Sequence, residues 1–494
     1  MSIAQLFHLS PNSDFSLQKQ IRTQIVTAIQ NGQIPLEKPL PSSRALAAQL
    51  GVARNTVVLA YENLLEDGYI LSRQRSGYFV NPDTLATPLI DPQLSLPQGG
   101  EPNWPQRMKS TPSLYRSIDK PKNWVEYDYP FTYGQLDYAL FPTNHWRECC
   151  RDALSVSAIK EWATDQLDYD DPLLIEQIQT RSLPRRGIWA KPDQILITVG
   201  AQQALYMLVR LMLDRDSTLG LENPGYVDVR NIAALNQTKI KPLAVDAEGL
   251  VVNAEINECD CIYVTPSHQS PTTVTMPIAR RYDLLQRAVD HDVLIIEDDY
   301  ESEINFAANP TPALKSLDHN DRVIYVGSLS KTLAPGLRMG YVVAPANVIS
   351  ELRALRRLMV RHPASNNQRA VALFLARGYQ DTLTRHLAKT YRQRCITMMD
   401  ALDSELNGDL AGAARMPGFG GSSCWVQGPA DLDADKLKLL ALAEGIIIEP
   451  GSVHFMQADP PLNYFRLGFS SVPDERIAEG IKRLAALIPG AMRN

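Results

Sequence analysis

Ser328-Leu329-Ser330-Lys331-Thr332-Leu333-Ala334-Pro335-Gly336-Leu337-Arg338 places one amine, two early serine hydroxyls and a guanidinium in a single short segment. An aldehyde cofactor needs a lysine to hold it as an imine. A phosphate dianion needs hydroxyls, backbone N–H groups and a bidentate arginine close by. Both needs are met together by pyridoxal 5'-phosphate (PLP), with Lys331 as the Schiff-base amine, Arg338 as the phosphate clamp, and Ser328 and Ser330 as hydroxyl donors.

Upstream of that segment, Val293-Leu294-Ile295-Ile296-Glu297-Asp298-Asp299-Tyr300 reads as an apolar strand ending in acids and a phenol. Strand alternation puts Asp298 and Tyr300 on one face. A carboxylate beside the pyridine nitrogen keeps such a ring protonated and electron-withdrawing, and a phenol can donate to the ring's 3-oxygen. A divalent-metal site is the competing reading, but no histidine accompanies the acids at ligand spacing, so no metal is expected. Ile195-Leu196-Ile197-Thr198-Val199-Gly200-Ala201-Gln202-Gln203 is a strand running through glycine into a helix, where the N–H groups of Gly200, Ala201 and Gln202 suit an anion. Tyr226, in the turn Glu222-Asn223-Pro224-Gly225-Tyr226, either stacks on a cofactor ring or fills the core. Arg466 sits in the apolar run Tyr464-Phe465-Arg466-Leu467-Gly468-Phe469 and needs an anionic partner there, which a ligand carboxylate or an internal acid would each supply.

Around these motifs, apolar strands and helices alternate from Trp124 onward, the pattern of a mostly parallel α/β sheet covered on both faces. Strands are expected at Gln194 to Val199, Thr218 to Leu221, Ile262 to Thr265, Val293 to Glu297, Val323 to Val326 and Met339 to Val343, with functional residues beyond their carboxyl ends. A small α+β subdomain over 344–494 is expected to carry strands at Cys424 to Val426, Ile446 to Glu449 and Phe465 to Leu467.

The N-terminal residues read differently. Leu17, Ile21, Ile25, Ala28 and Ile29 recur at helical spacing after Ser16; Leu40-Pro41-Ser42-Ser43-Arg44 opens a second helix ending at Gly51; Arg54-Asn55-Thr56 starts a third. Tyr69 to Val80 reads as a two-stranded wing with Arg73, Arg75 and Gly77 near its tip. A winged helix-turn-helix presents the start of its last helix to the major groove. Residues 1 to 85 hold seven Lys and Arg against six Asp and Glu, so this module is dipolar rather than strongly basic. From Asn81 to Asn123 periodicity gives way to repeated prolines and Gly99-Gly100, the composition of a stiff tether. The division expected is therefore 1–80, 81–123 and 124–494.

At 494 residues the chain exceeds one ordinary domain, and a net charge of -6 leaves room for a local DNA-binding face. The six cysteines show no C-x-x-C pairing, which favours free thiols. No signal peptide or span-length apolar run is evident, so a cytoplasmic location is expected.

Leu40 to Arg44, Arg54 to Val58 and Ser76-Gly77-Tyr78-Phe79-Val80 closely resemble the GntR-type DNA-binding domain; the resemblance implies that Arg44, Arg54, Thr56 and Gly77 contact DNA, and Asn55 at the helix start and Arg73 and Arg75 near the wing tip are expected to do so from their positions. Residues 124 to 494 resemble a fold type I aminotransferase, and the whole chain resembles the MocR/GabR-type subfamily of GntR regulators. Val199 to Tyr206, Thr265-Pro266-Ser267-His268-Gln269, Ile296 to Tyr300 and Ser328 to Lys331 carry that likeness. It implies an internal aldimine at Lys331, Asp298 at the pyridine nitrogen, Tyr300 at the 3-oxygen, Tyr226 stacking, Ser328 and Arg338 on phosphate, Arg466 on a ligand carboxylate, and Tyr169 reaching phosphate from a second subunit of a head-to-tail homodimer. Two places depart from the family pattern: Ser270-Pro271-Thr272-Thr273 follows His268-Gln269, and Tyr169-Asp170-Asp171-Pro172 replaces the usual Tyr-Gly-Asp-Pro.

The function implied is that of a PLP-dependent transcriptional regulator which binds two operator half-sites and senses an amino acid or amine by forming an external aldimine. Free PLP, GABA, taurine and an ectoine-derived diamino acid all suit the family; Gln269 to Met276 and Arg73 to Val80 stand nearest to the taurine and ectoine-catabolism group. A working aminotransferase carrying a DNA-binding domain is the alternative.

Overall fold

The computed structural model describes residues 9–10, 15–73, 76–84, 101–306, 311–405 and 420–493. The chain divides into two units, Met1–Arg107 and Met108–Asn494.

The first unit is built from helices α1 (Leu17–Gln30), α2 (Ser43–Leu50) and α3 (Arg54–Glu66), followed by antiparallel strands β1 (Ile70–Arg73) and β2 (Gly77–Val80). Hydroxyl capping fixes the helix starts: Ser16 accepts from the Lys19 N–H and Ser42 from the Ala45 N–H. The apolar stripes then close one core in which Ile21, Ile25, Leu46, Val57, Leu64, Ile70 and Val80 are all fully buried. Buried Tyr61 keeps its hydroxyl satisfied by donating to the Pro41 carbonyl at 2.8 Å.

The second unit centres on an eight-stranded sheet. Its strands are β3 (Ile195–Thr198), β4 (Thr218–Asn223), β5 (Lys239–Asp246), β6 (Gly249–Leu250), β7 (Cys261–Val264), β8 (Leu294–Asp299), β9 (Val323–Ser328) and β10 (Gly340–Val343), in the spatial order β3-β10-β9-β8-β7-β4-β5-β6. Neighbours from β9 through β5 are parallel; β10 runs antiparallel to both β9 and β3, and β6 antiparallel to β5. Apolar runs such as Ile295-Ile296 and Val323–Val326 are buried because helices cover both faces.

Register positions the site. Ser328 pairs with Gly340, and Gly340 with Thr198, so the ends of β9 and β3 lie level. That brings the start of helix α4 (Gly200–Met212) beside Arg338, two residues before β10. Strand β8 runs two residues beyond the expected Glu297 and carries Asp298 within the sheet, paired with Val326. Strand β5 is not foreshadowed by the sequence reading: it pairs near the sheet edge, contains Pro242 and is mostly exposed or half-buried, so no apolar run marks it.

Beyond Val343 come three helices, Ala346–Val360, Ser365–Ala376 and Tyr379–Glu405, and an antiparallel sheet ordered Ser423–Gln427, Tyr464–Gly468, Glu449–Pro450. The run expected as one strand from Ile446 to Glu449 is split: Ile446–Ile447 pairs with Tyr129–Pro130, whereas Glu449–Pro450 pairs beside Arg466. The acids of Tyr169-Asp170-Asp171-Pro172 have structural partners. Buried Asp170 accepts from Arg353, Arg356 and the Ile197 N–H, and Asp171 caps the helix Pro172–Gln177 while pairing with Arg369.

Candidate PLP and effector site

A cavity of about 320 Å³ opens at the carboxyl ends of β8 and β9. Its wall includes Ala201, Gln202, Tyr226, Asp298, Tyr300, Ser328, Ser330, Lys331, Arg338 and Arg466, so most of the residues proposed for cofactor and ligand converge there. Gly200 lies just behind the wall: it has φ +72°, and a Cβ on it would come 2.7 Å from Arg338 Nη2. The helix start and the guanidinium share a space that only glycine leaves open.

The acidic triplet divides by strand alternation. Glu297 accepts from the N–H groups of Leu314 and Lys315, and Asp299 accepts from Arg186 and the Tyr325 hydroxyl. Asp298 faces the cavity, with Oδ2 accepting from Tyr263 at 2.8 Å and a buried Oδ1 without a hydrogen-bond partner among the described residues. Burial pushes its carboxyl up to about 7. A protonated pyridine nitrogen is the donor such an oxygen lacks.

Burial likewise lowers the Lys331 amine, with Arg466 nearby acting in the same sense against the raising influence of Glu301. The Lys331 Nζ stands 4.2 Å from the Tyr133 ring centroid. A Cβ on Gly134 would come within 2.8 Å of the same nitrogen. Tyr300 is half-buried beside Ser270, and desolvation of its hydroxyl raises the phenol well above the ordinary value. Tyr226 donates within a network formed with Gln202 (2.9 Å) and Asp228 (3.0 Å). The Ser330 hydroxyl is engaged at the loop's base, donating to the Met339 carbonyl and accepting from its N–H, whereas Ser328 lines the cavity.

Arg466 is 2 % exposed and pairs with Glu449, which also accepts from His454 at 3.0 Å. The internal acid left open by the sequence is therefore Glu449. The nearby Arg466 charge, aided by a hydrogen bond from His454, overcomes burial and holds that acid at about 2. Arg466 Nη2 is the nitrogen that meets Glu449, whereas Nε has no hydrogen-bond partner among the described residues, and the guanidinium lies 3.7 Å from the Tyr133 ring centroid. Tyr169 is 53 % exposed and outside the cavity wall of the single chain. Sequence patterning does not single out Tyr133, Tyr263, Asp228 or Glu449; the only local signal is the Tyr133-Gly134 dipeptide, a common one.

In the N-terminal unit, Arg44, Arg54 and Asn55 are exposed on α2 and α3, and Thr56 is half-buried. Arg73 is exposed, its guanidinium 4.4 Å from the Phe79 ring centroid, and lies opposite exposed Gly77. Arg75 lies outside the described residues.

Residues 17–80 match the family described as bacterial regulatory proteins, gntR family, and residues 134–484 match aminotransferase class I and II. The HTH-type transcriptional regulator TauR of Rhodobacter capsulatus is 41% identical over 97% of this chain and 98% of its own. The chain belongs to the MocR type of GntR-family regulators. The probable rhizopine catabolism regulatory protein MocR of Rhizobium meliloti is 28% identical over 96% of this chain and 94% of its own. Among solved structures, the α-aminoadipate aminotransferase LysN of Thermus thermophilus, complexed with N-(5'-phosphopyridoxyl)-L-leucine, superposes with a TM-score of 0.69 at 26% identity, covering 78% of this chain and 98% of that one. This MocR-type chain is thus a PLP-dependent transcriptional regulator with a fold type I sensor domain, and the unpartnered Asp298 oxygen and the Gly200–Arg338 cradle fit the cofactor.

Proposed function

We propose that this regulator binds operator DNA through residues 1–80 and senses, through residues 124–494, a primary amine that carries an anionic group. The single observation that carries the reading is the convergence in one cavity of Lys331, an Asp298 oxygen and an Arg466 Nε that are both without hydrogen-bond partners among the described residues. When bound, PLP supplies an electrophilic carbon for amines. Lys331 is the amine with which an effector competes. Asp298 holds the proton at the ring nitrogen, Tyr300 donates to the 3-oxygen and Tyr226 stacks. Ser328, Arg338 and the α4 N–H groups bind phosphate, with Ser330 shaping the loop. Arg466 orients the effector's anion.

The DNA contacts proposed are Arg44, Arg54, Asn55, Thr56, Arg73, Arg75 and Gly77. A homodimer in the cytoplasm would present two modules to two half-sites, with Tyr169 reaching the second subunit's phosphate. The likeness to TauR supports an effector of the taurine kind, with an ectoine-derived diamino acid the second choice. We assign the domain sensing rather than turnover; the lowered Lys331 amine also suits a proton carrier, which supports residual transamination.

The test is a titration of holo-protein with amines and amino acids, followed by the visible spectrum and by keto-acid formation. Spectral change with saturable binding and no steady product supports a sensor. Sustained turnover overturns that assignment.

A further inference from the structure

Residues read as the end of the proline-rich tether are held against the effector domain. The Arg116 guanidinium donates to the Ser452 carbonyl at 3.3 Å, while the Arg116 carbonyl accepts from Asn231 at 2.8 Å. Asp119 pairs with Lys438 at 2.8 Å. Asn231 belongs to the helix Val227–Leu235 beside the large sheet, and Ser452 and Lys438 belong to the small subdomain. This strap therefore ties together the two halves that flank the cavity.

At its inner end Lys120 donates to the Tyr133 carbonyl at 2.9 Å. The ring of the same Tyr133 lies under both Lys331 and Arg466. Three cations thus meet around one tyrosine. Only one hydrogen bond from the Lys120 ammonium, which has three N–H donors, is found among the described residues. Burial lowers this amine to about 8, and Lys331 and Arg466 push it the same way against Glu449. Like charges gathered around one residue of the cavity wall, Tyr133, cost free energy unless an anion joins them.

Glu449 makes that anion's problem specific. It neutralises Arg466 through Nη2, so an incoming acid meets a pair of zero net charge in which Nε has no hydrogen-bond partner among the described residues. A further positive charge is needed for net attraction, and Lys120 is the cation positioned to provide it.

We propose that Lys120 is an effector-binding residue which shares the ligand's anionic head group with Arg466, making the strap part of the site. This rests on the amine-sensing reading above. The ligand class is a short amine ending in a carboxylate or a sulfonate; both offer acceptors to Arg466 Nε and to Lys120.

The test uses full-length holo-protein and three amines: 2-aminoethanesulfonate, 3-aminopropanoate and 2-aminoethanol. Dissociation constants are read from the visible spectrum for the wild type, Lys120→Gln and Lys120→Arg. We expect Lys120→Gln to weaken the acidic amine that binds best at least about tenfold, leave 2-aminoethanol unchanged and retain full cofactor content, with Lys120→Arg restoring most of the loss. The acid showing the larger loss identifies the head group. Unchanged affinity for both acids, or an equal loss for all three amines, overturns the proposal, the second result marking Lys120 as a structural residue of the strap. A wild type that responds to no amine at all instead sinks the sensing reading, and this inference with it.

Discussion

Asp298 shows how much one buried oxygen can decide. With its carboxyl raised to about 7 by burial, the cofactor-free folded state holds the proton more tightly than the unfolded chain does. The stability so contributed is complete below the unfolded value of about 4 and is lost as pH rises through about 7. Glu222, lifted to about 7 mainly by burial, and Glu297, also raised by burial, act in the same sense, so a variant is needed to separate Asp298 from them. In thermal melts of cofactor-free protein, Asp298→Asn is predicted to be more stable than wild type at pH 8, by a few kcal/mol, with the difference vanishing near pH 4. With PLP the order reverses: the variant should bind cofactor about 10–100-fold more weakly, measured by equilibrium dialysis, because an amide cannot pair with the ring's charge. Asp298, Tyr300, Lys331 and Arg338 are legible in the sequence because short motifs carry them. Tyr133, Glu449 and Lys120 are not, because their meaning lies in partners far away along the chain, Lys331 and Arg466 above all.

Among the elements, the strand-to-helix junction at Gly200 has the least tolerance. A methyl there meets both a positive φ and the Arg338 guanidinium 2.7 Å away. Gly200→Ala is therefore predicted to lose cofactor at least tenfold more readily than wild type, seen as bleaching of the visible band on dialysis, while the far-ultraviolet circular dichroism stays unchanged. The exposed start of α3 makes a separate prediction. Arg54→Ala should fold normally, since the side chain covers no core, yet weaken operator binding about tenfold and flatten its salt dependence by about one counterion if it meets phosphate, as read by fluorescence anisotropy. Alternation indicates which face of β8 carries Asp298 and Tyr300, and capping serines mark the first two helices. Strand β5 escapes notice because, next to the short edge strand β6, it is mostly exposed or half-buried and lacks the apolar run that betrays buried strands. The split of Ile446–Pro450 between two sheets likewise depends on partners, Tyr129 in one and Arg466 in the other, that no local window contains.

The whole molecule joins a GntR-type DNA-binding domain to an aminotransferase-like domain proposed to sense an amine, and a ligand can shift such a protein only through unequal affinity for its two states. Three parts are able to differ between those states: Lys331 with or without a competing amine, Arg466 shared between Glu449 and a ligand anion, and the strap of residues 115–120 that leads back along the chain toward the N-terminal unit. Composition changes sharply after Val80, where the sequence reading ends the first domain, whereas the chain divides at Arg107; the end of the tether reads as free chain although Arg116, Asp119 and Lys120 bind it to the second unit. Their partners, Ser452, Lys438 and Tyr133, lie outside any local pattern. The most direct test of coupling is operator affinity measured by anisotropy for holo wild type and Lys331→Ala, with and without saturating amine effector. Wild type is predicted to shift by about 5–150-fold, and Lys331→Ala not at all. An equal shift in both proteins, or none in the wild type, would contradict control of DNA binding through position 331.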